Sequence, residues 1–502
     1  MAHGGIRYLE NGEFRLVREA VQEHNRLIQN APHIVRPLPY NDHDLQIFRG
    51  LLNAPLKFLG WLDKPSERGA IILKLGLLLY DAYTGRHRTV PRHQFLSRGA
   101  SLKRWSQLDP AIVNTATYYD GLISNPERLV LELVLDAEAD HPTARALNYV
   151  SMVSGEKDAV LPRDELTDET LEVRPQLLIN ASGAWIDFTN HQLGLCSRYC
   201  TKGSHLVLDH PELRAAIGDH EFFFENKDGR IVLILPLFDR VLVGTSDIKI
   251  ENPDEAHCTE EEVDYFIGMI GRVFPSLQVT REQIVFRFAG VRPLRSSSAK
   301  NTGQYSRDHS IEVLSGEWTN LTFPVYSLVG GKWTTFRSFF DQVTDKALAF
   351  LGRARQKHTR DLPIGGGRAF STDSHEQKRQ IDGLAAWTGL DKDLLQALYA
   401  RYGSRTEAVA SFIKRAEDAP LRSLPEFTCR EIAFLGLHEN TIHLDDLILR
   451  RTTLRMLGRV RRERVEELAE VLGDCLGWSN EQKNAEAARA LRLLGDRHGV
   501  RF

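Results

Sequence analysis

Residues 325–340 read VYSLVGGKWTTFRSFF, and this stretch decides the fold class. Val325 to Val329 is an apolar run of strand length, and Gly330-Gly331 follows with the backbone freedom of glycine. A helical pattern takes over at about residue 335 and runs to about 352. A similar arrangement lies upstream, where Gln176-Leu177-Leu178-Ile179-Asn180 ends at the small-residue turn Ala181-Ser182-Gly183. Buried parallel strands that feed glycine turns have this look, so a mixed α/β fold is expected.

Between these stretches the pattern is antiparallel. Glu221 to Glu225, the turn Asn226-Lys227-Asp228-Gly229 and Arg230 to Leu237 predict a hairpin on the Asp-Gly signal, and Val241 to Gly244 continues the meander. Val285 to Phe288 predicts a strand that runs into Ala289-Gly290-Val291-Arg292-Pro293-Leu294. On the N-terminal side, Phe14, Val17, Val21 and Ile28 fall at helical spacing over residues 13–30, and Ala31-Pro32 ends that helix. Pro37 and Pro39 keep the next stretch extended, a second helical region covers residues 68–83, and Asn125-Pro126 opens a third that runs to about 139. Residues 353–375, with Gly365-Gly366-Gly367, form the best linker candidate. Helices are then expected over 394–402, 407–416, 429–438, 444–457 and 464–476.

Lys plus Arg (64) nearly balances Asp plus Glu (67), so no global field argues for nucleic acid. A local basic site for a small anion stays open. The cysteines (Cys196, Cys200, Cys258, Cys429, Cys475) are too scattered for a disulfide framework, and no secretory signal is visible, so a reducing, cytoplasmic setting is expected. The longest apolar run, Ala70 to Tyr83, is too short to span a bilayer; a buried helix and a helix on a membrane surface both stay open.

Standard catalytic signatures are few. His438-Glu439 with His443 is one residue too long for the zinc spacing, and Cys196 with Cys200 could meet on a helix but lacks further ligands. Three features place polar groups just after a strand: Lys202-Gly203-Ser204-His205, the arginines Arg292 and Arg307, and Gly330-Gly331-Lys332. Strand ends in α/β sheets are common ligand sites, and Arg matches phosphate by paired hydrogen bonds. Together they point to a small anionic substrate.

The motif order HGGIRYLE, KGSHLVL, GRIVLILP, VGTSD, GVRPL, SRDH and GGKWTTFR resembles the FAD-dependent glycerol-3-phosphate dehydrogenases over residues 3–352. CREIAFLGLHENTIHLDDLILRRT also looks like that family's C-terminal domain. The resemblance implies an FAD-binding Rossmann-like domain interleaved with an antiparallel-sheet substrate domain in residues 1–352, a linker at 353–375 and a helical domain over 376–502. It implies that His3, Gly4, Gly5, Ser182, Gly183, Gly330, Gly331 and Lys332 lie at the flavin. Arg7, Tyr8, Thr245, Arg292 and Arg307 would line the substrate, with Arg292 and Arg307 on its phosphate. His205, Arg292 and Lys332 would be the catalytic set, His205 as a base that titrates near neutrality. The implied cofactor is FAD and the implied partners are a small phosphorylated polyol and a quinone acceptor, with a homodimer and peripheral contact on the inner face of the cell membrane also in view.

Two departures bear on this. The family's N-A-[AT]-G-P-W segment reads Asn180-Ala181-Ser182-Gly183-Ala184-Trp185, and YYDGLISNPERL differs from the version with paired acids, which suggests another polyol phosphate such as erythritol phosphate. More seriously, no GxGxxG turn occurs in the 502 residues. The first strand-turn-helix of the Rossmann-like domain is therefore expected in roughly 45–50 further residues upstream, about one βαβ unit and its loop. A non-catalytic remnant that keeps a phosphate site is the reading from a different class.

Overall fold

The computed structural model describes residues 1–5, 14–44, 90–193, 200–225, 231–293, 308–315 and 320–502. The expected helix at 68–83 and the apolar run Ala70 to Tyr83 lie outside them. Among the described residues no helix is long and apolar enough to cross a membrane.

The strands in chain order are β1 (Val35–Asp44), β2 (Gln94–Ser97), β3 (Asn114–Ile123), β4 (Val150–Glu156), β5 (Ala159–Asp164), β6 (Leu178–Asn180) and β7 (Cys200–Leu208). Then come β8 (Glu221–Glu225), β9 (Ile231–Leu237), β10 (Arg240–Gly244), β11 (Ile248–Ile250), β12 (Ile284–Pro293), β13 (Ser310–Leu314) and β14 (Val325–Val329). Among the described residues, one sheet of nine strands runs β11-β7-β10-β9-β8-β1-β3-β2, with β12 also on β7. A smaller sheet runs β13-β14-β6, and β4 pairs with β5. The fold is mixed α/β, as the sequence predicts.

β14 and β6 pair in parallel, Ser327 opposite Asn180. β6 is not wholly buried as expected, because Ile179 is exposed and only one face of the strand is covered. The prolines of β1 cost the sheet nothing. Gly121 opposite Pro37 exchanges both backbone bonds with Ala2 at 2.8 Å, so the Pro37–Gly121 pair is one that makes no ladder bond.

Helix α1 (Phe14–Asn30) buries Val17, Val21 and Ile28 of the stripe that its spacing predicts, and Leu16, Ala20 and Leu27 beside them; the Phe14 side chain lies outside the description. Helix α2 (Pro126–Asp140) starts at Asn125, whose side chain caps the Arg128 N–H, with Pro126 in the first turn. Helix α3 (Glu260–Val273) opens on a capping box of Thr259 and Glu262 and buries Val263, Phe266 and Ile270 behind the large sheet. Helix α4 (Phe336–Phe350) follows β14.

The C-terminal helices Ser374–Thr388, Lys392–Tyr402, Thr406–Ile413, Cys429–His438, Arg462–Leu476 and Asn480–His498 share one core. That core reaches Val207, Leu237 and Phe286 of the large sheet, so the tail covers part of it. The helix expected over 444–457 stops at Arg451, where a wide turn over Leu447–Arg451 ends with Thr452 Oγ1 bonded back to the Leu447 carbonyl at 3.2 Å. Gly365, Gly366 and Gly367 form a buried turn rather than a solvated tether. Their N–H groups reach Asp136 (Gly365, 2.7 Å) and Glu132 (Gly366, 2.9 Å) of α2.

The helical reading of Cys196 with Cys200 fails, since Cys200 opens β7 and Cys196 lies outside the described residues. Glu439 pairs with buried Arg128 at 2.5 and 2.8 Å, and His443 with Glu486 at 2.8 Å. Among the described residues no His, Cys, Asp and Glu group is arranged for a metal ion.

Candidate active site

Side chains alternate between the faces of a strand, and paired residues share a face. The register therefore assembles one face of the large sheet from distant parts of the sequence. Gly290 lies opposite Gly203 and Phe288 opposite His205, while His205 also lies opposite Gly244. The row continues through Leu233 and Phe223, and Glu221, Tyr40, Tyr118 and Asp120 share its parity. Lys202 and Ser204 have the opposite parity and belong to the back, under α3.

One end of this face is built on β7, β10 and β12. The Arg292 guanidinium crosses over Gly203, donating from Nη2 to Thr245 Oγ1 at 3.0 Å and from Nη1 to the Ser246 carbonyl at 3.5 Å. Asp247 lies at 3.6 Å. Gly203 leaves the room for this crossing: a Cβ there would sit 2.5 Å from Arg292 Nη2 and nearer still to Thr245 Oγ1. A Cβ on Gly244 would likewise fall into the His205 ring. His205 stacks flat on Phe288, with ring centroids 4.9 Å apart and planes 9° from parallel.

Two expectations change here. His205 does not titrate near neutrality, because burial and then the Arg292 charge push its imidazole down to about 3. His205 and Arg292 also stand within their strands rather than after them. The sequence reading ended the β12 strand before Gly290, as glycine usually weakens a strand, but the ladder continues to Pro293. Lys202 is not available to an anion: its Nζ donates to Glu262 at 2.9 Å and to the His257 carbonyl at 2.6 Å behind the sheet.

The other end joins the first residues to the Gly-Gly-Lys turn. His3 N–H donates to Thr334 Oγ1 at 3.0 Å, and that hydroxyl donates to the His3 carbonyl at 3.2 Å. Gly4 N–H donates to Asp120 Oδ1 at 3.2 Å. Burial raises the Asp120 carboxyl to about 7, against the Gly4 hydrogen bond and nearby positive charge that includes Lys332. Burial, and then the Asp120 charge, hold the Glu221 carboxyl well above its usual range. Lys332 itself is buried.

Gly183 and Gly330 each follow the registered pair Asn180–Ser327 by three residues, so both turns leave the same end of the parallel strands. Asn190 Oδ1 ties them, accepting from Asn180 Nδ2 at 2.8 Å and Ser327 Oγ at 2.9 Å. Ser182 Oγ donates to Asn180 Oδ1 at 2.6 Å. Arg7, Tyr8 and Arg307 lie outside the described residues.

Sequence reasoning singled out Gly203 only as part of Lys202-Gly203-Ser204-His205 and gave no role to Asp120, Ser246 and Glu262. Only Glu262 carried a local signal, the Thr-x-x-Glu of a capping box.

The face suits one side of a flavin ring. Both Glu221 carboxyl oxygens and His205 Nδ1 are buried without a hydrogen-bond partner among the described residues, so polar ring edges would have atoms to meet. Gly330 and Gly331 have φ of 74° and 99°, a backbone that other residues rarely adopt.

Residues 1–313 match the family described as FAD dependent oxidoreductase, and residues 357–483 match the C-terminal domain of alpha-glycerophosphate oxidase. A glycerol-3-phosphate dehydrogenase of Synechocystis is 30% identical, over 96% of this chain and 86% of that protein. A D-erythritol 1-phosphate dehydrogenase of Brucella abortus is 27% identical, over 90% and 85%. The solved glycerol-3-phosphate dehydrogenase from Bacillus halodurans complexed with FAD has the same fold, with a TM-score of 0.71, 20% identity and coverage of 94% of this chain and 84% of that one. With its family match spanning more than half its length and a relative at 30% identity, the chain belongs to the FAD-dependent oxidoreductases, in the company of glycerol-3-phosphate dehydrogenases.

Proposed function

We propose that the chain is an FAD-dependent dehydrogenase that oxidises sn-glycerol 3-phosphate to dihydroxyacetone phosphate. The observation that carries this reading is the Arg292 guanidinium, held by Thr245 and Ser246 beside a neutral His205 on one sheet face. Bound FAD supplies the acceptor for the hydride from C2 of the substrate. Arg292, with Arg307, binds the phosphate; Arg7, Tyr8 and Thr245 line the rest. The neutral imidazole of His205 takes the hydroxyl proton from C2. Substrate phosphate offsets the Arg292 charge, one of the two main causes of the low His205 value, so the base strengthens as the substrate arrives. His3, Gly4, Gly5, Ser182, Gly183, Gly330, Gly331 and Lys332 would hold the flavin.

A quinone acceptor, a cytoplasmic setting with peripheral contact at the inner face of the membrane, a homodimer, and the division into 1–352, 353–375 and 376–502 belong to the same reading. Erythritol phosphate is the second substrate to try, because the Brucella abortus relative is a D-erythritol 1-phosphate dehydrogenase.

Steady-state kinetics of Arg292→Ala test the reading. The loss of a charge-assisted phosphate contact should raise KM by roughly 10- to 100-fold. An unchanged KM would sink the phosphate assignment.

A further inference from the structure

We infer that Glu262, a residue of the helix behind the sheet, is a positioning residue for the anion-binding guanidinium of Arg292 and acts through Ser246. The inference rests on the reading of Arg292 as the phosphate ligand.

Ser246 lies in the short irregular connection between β10 and β11, outside any backbone ladder, so its side chain decides where its backbone sits. Its hydroxyl donates to Glu262 Oε1 and accepts the Ser204 N–H at 2.9 Å. Its carbonyl faces the other way. It accepts Arg292 Nη1 at 3.5 Å and the Thr245 hydroxyl at 3.1 Å. With that proton committed to the Ser246 carbonyl, the Thr245 oxygen presents a lone pair to Arg292 Nη2 at 3.0 Å. Both described hydrogen bonds that orient the guanidinium therefore pass through one residue, fixed from the back of the sheet.

Glu262 is itself held firmly. Lys202 Nζ and the Thr259 N–H each donate to Oε2 at 2.9 Å. Burial alone would raise its carboxyl, but the bonds from Ser246, Thr259 and Lys202 outweigh it and keep the group below its ordinary range. A glutamate that served only its capping box would need Thr259 alone. Here the second oxygen reaches past the helix to the loop that carries Thr245, and buried Lys202 balances its charge.

Calorimetric titration of the full chain with glycerol 3-phosphate, and separately with inorganic phosphate, tests this together with thermal unfolding. Ser246→Ala keeps the Glu262–Lys202 pair and cuts the link, so both ligands should bind about tenfold more weakly, the worth of one such hydrogen bond. Glu262→Gln keeps a polar contact to Ser246 whichever way its amide faces, yet leaves Lys202 without a counter-charge. It should melt earlier yet bind both ligands better than Glu262→Ala, which removes the acceptor behind Ser246 and should weaken both by about tenfold, as Ser246→Ala does. Affinity that simply follows melting temperature across these variants would reduce Glu262 to a structural role and overturn the inference. So would wild-type binding by Ser246→Ala where Arg292→Ala has lost it. Wild-type binding by Arg292→Ala would instead remove the phosphate reading, and the inference with it.

Discussion

Substituting Gly203 with alanine isolates the anion site from the rest of the molecule. The new Cβ would stand 2.5 Å from Arg292 Nη2, about 0.9 Å inside ordinary contact at 3.4 Å. The crowded groups are the end of a flexible side chain and a hydroxyl that can rotate, so the fold can absorb the methyl. The guanidinium then withdraws by a distance that takes its 3.0 Å bond to Thr245 past hydrogen-bond range. One charge-assisted bond to phosphate, at about 1.5–3 kcal/mol, translates into a loss of roughly 10- to 150-fold in affinity for glycerol 3-phosphate. The melting temperature should move by less than about 3 °C. Gly290→Ala is the control, because it lies directly opposite Gly203 in the ladder and a Cβ there meets nothing within 4 Å. Calorimetric titration of both variants decides the matter. Wild-type affinity in Gly203→Ala, or an equal loss in Gly290→Ala, would refute the crowding of Arg292.

Three further outcomes are expected. The His205 ring, followed by NMR against pH, should stay neutral until about pH 4 and titrate at about 3, moving upward when glycerol 3-phosphate is bound; a transition near 6.5 in the free protein would contradict its burial. A base depressed on folding contributes its stability above the unfolded value of 6.5, and this is lost as pH falls towards 3. Asp120 has the opposite sign: a carboxyl raised to about 7 costs stability progressively as pH rises from 3.8 to 7, so Asp120→Asn should gain more melting temperature at pH 8 than at pH 5, and an equal gain would count against it. Glu439→Gln should destabilise the protein by about 3–5 kcal/mol, because Arg128 would keep a buried charge without its carboxylate; denaturant unfolding within about 0.5 kcal/mol of wild type would exclude this.

Much of the architecture is legible in the sequence, because its signals are local. The strand and turn at Val325 to Lys332, the antiparallel strands Glu221–Glu225 and Ile231–Leu237 (the predicted turn between them lies outside the described residues) and the stripe of α1 each depend on neighbours in the chain. What the sequence does not disclose comes from register. β3 mixes polar and aromatic residues and has no clean alternation, and its role appears only once Pro37 and Pro39 are seen opposite its non-bonded positions. Asp120 looks like any acid until burial and the Gly4 N–H surround it. Lys202 and His205 are three apart in one motif, yet alternation sends them to opposite faces, one to a structural ion pair and the other to the site. Gly203 matters for a guanidinium that begins 89 residues later and arrives by strand pairing.

The buried glycine turn at 365–367 has a consequence for exchanging parts between relatives. Helix α2 supplies Glu132 and Asp136 to that turn and Arg128 to Glu439, so a single helix of the N-terminal body anchors both the leash and the cargo of the tail. A Cβ at Gly366 would fall on the Tyr402 carbonyl, and one at Gly367 on the Asn30 carbonyl. A tail grafted from another protein would therefore meet a foreign arginine and a foreign slot for its glycines. α2 and the tail would have to be exchanged together, although more than 200 residues separate them in the chain.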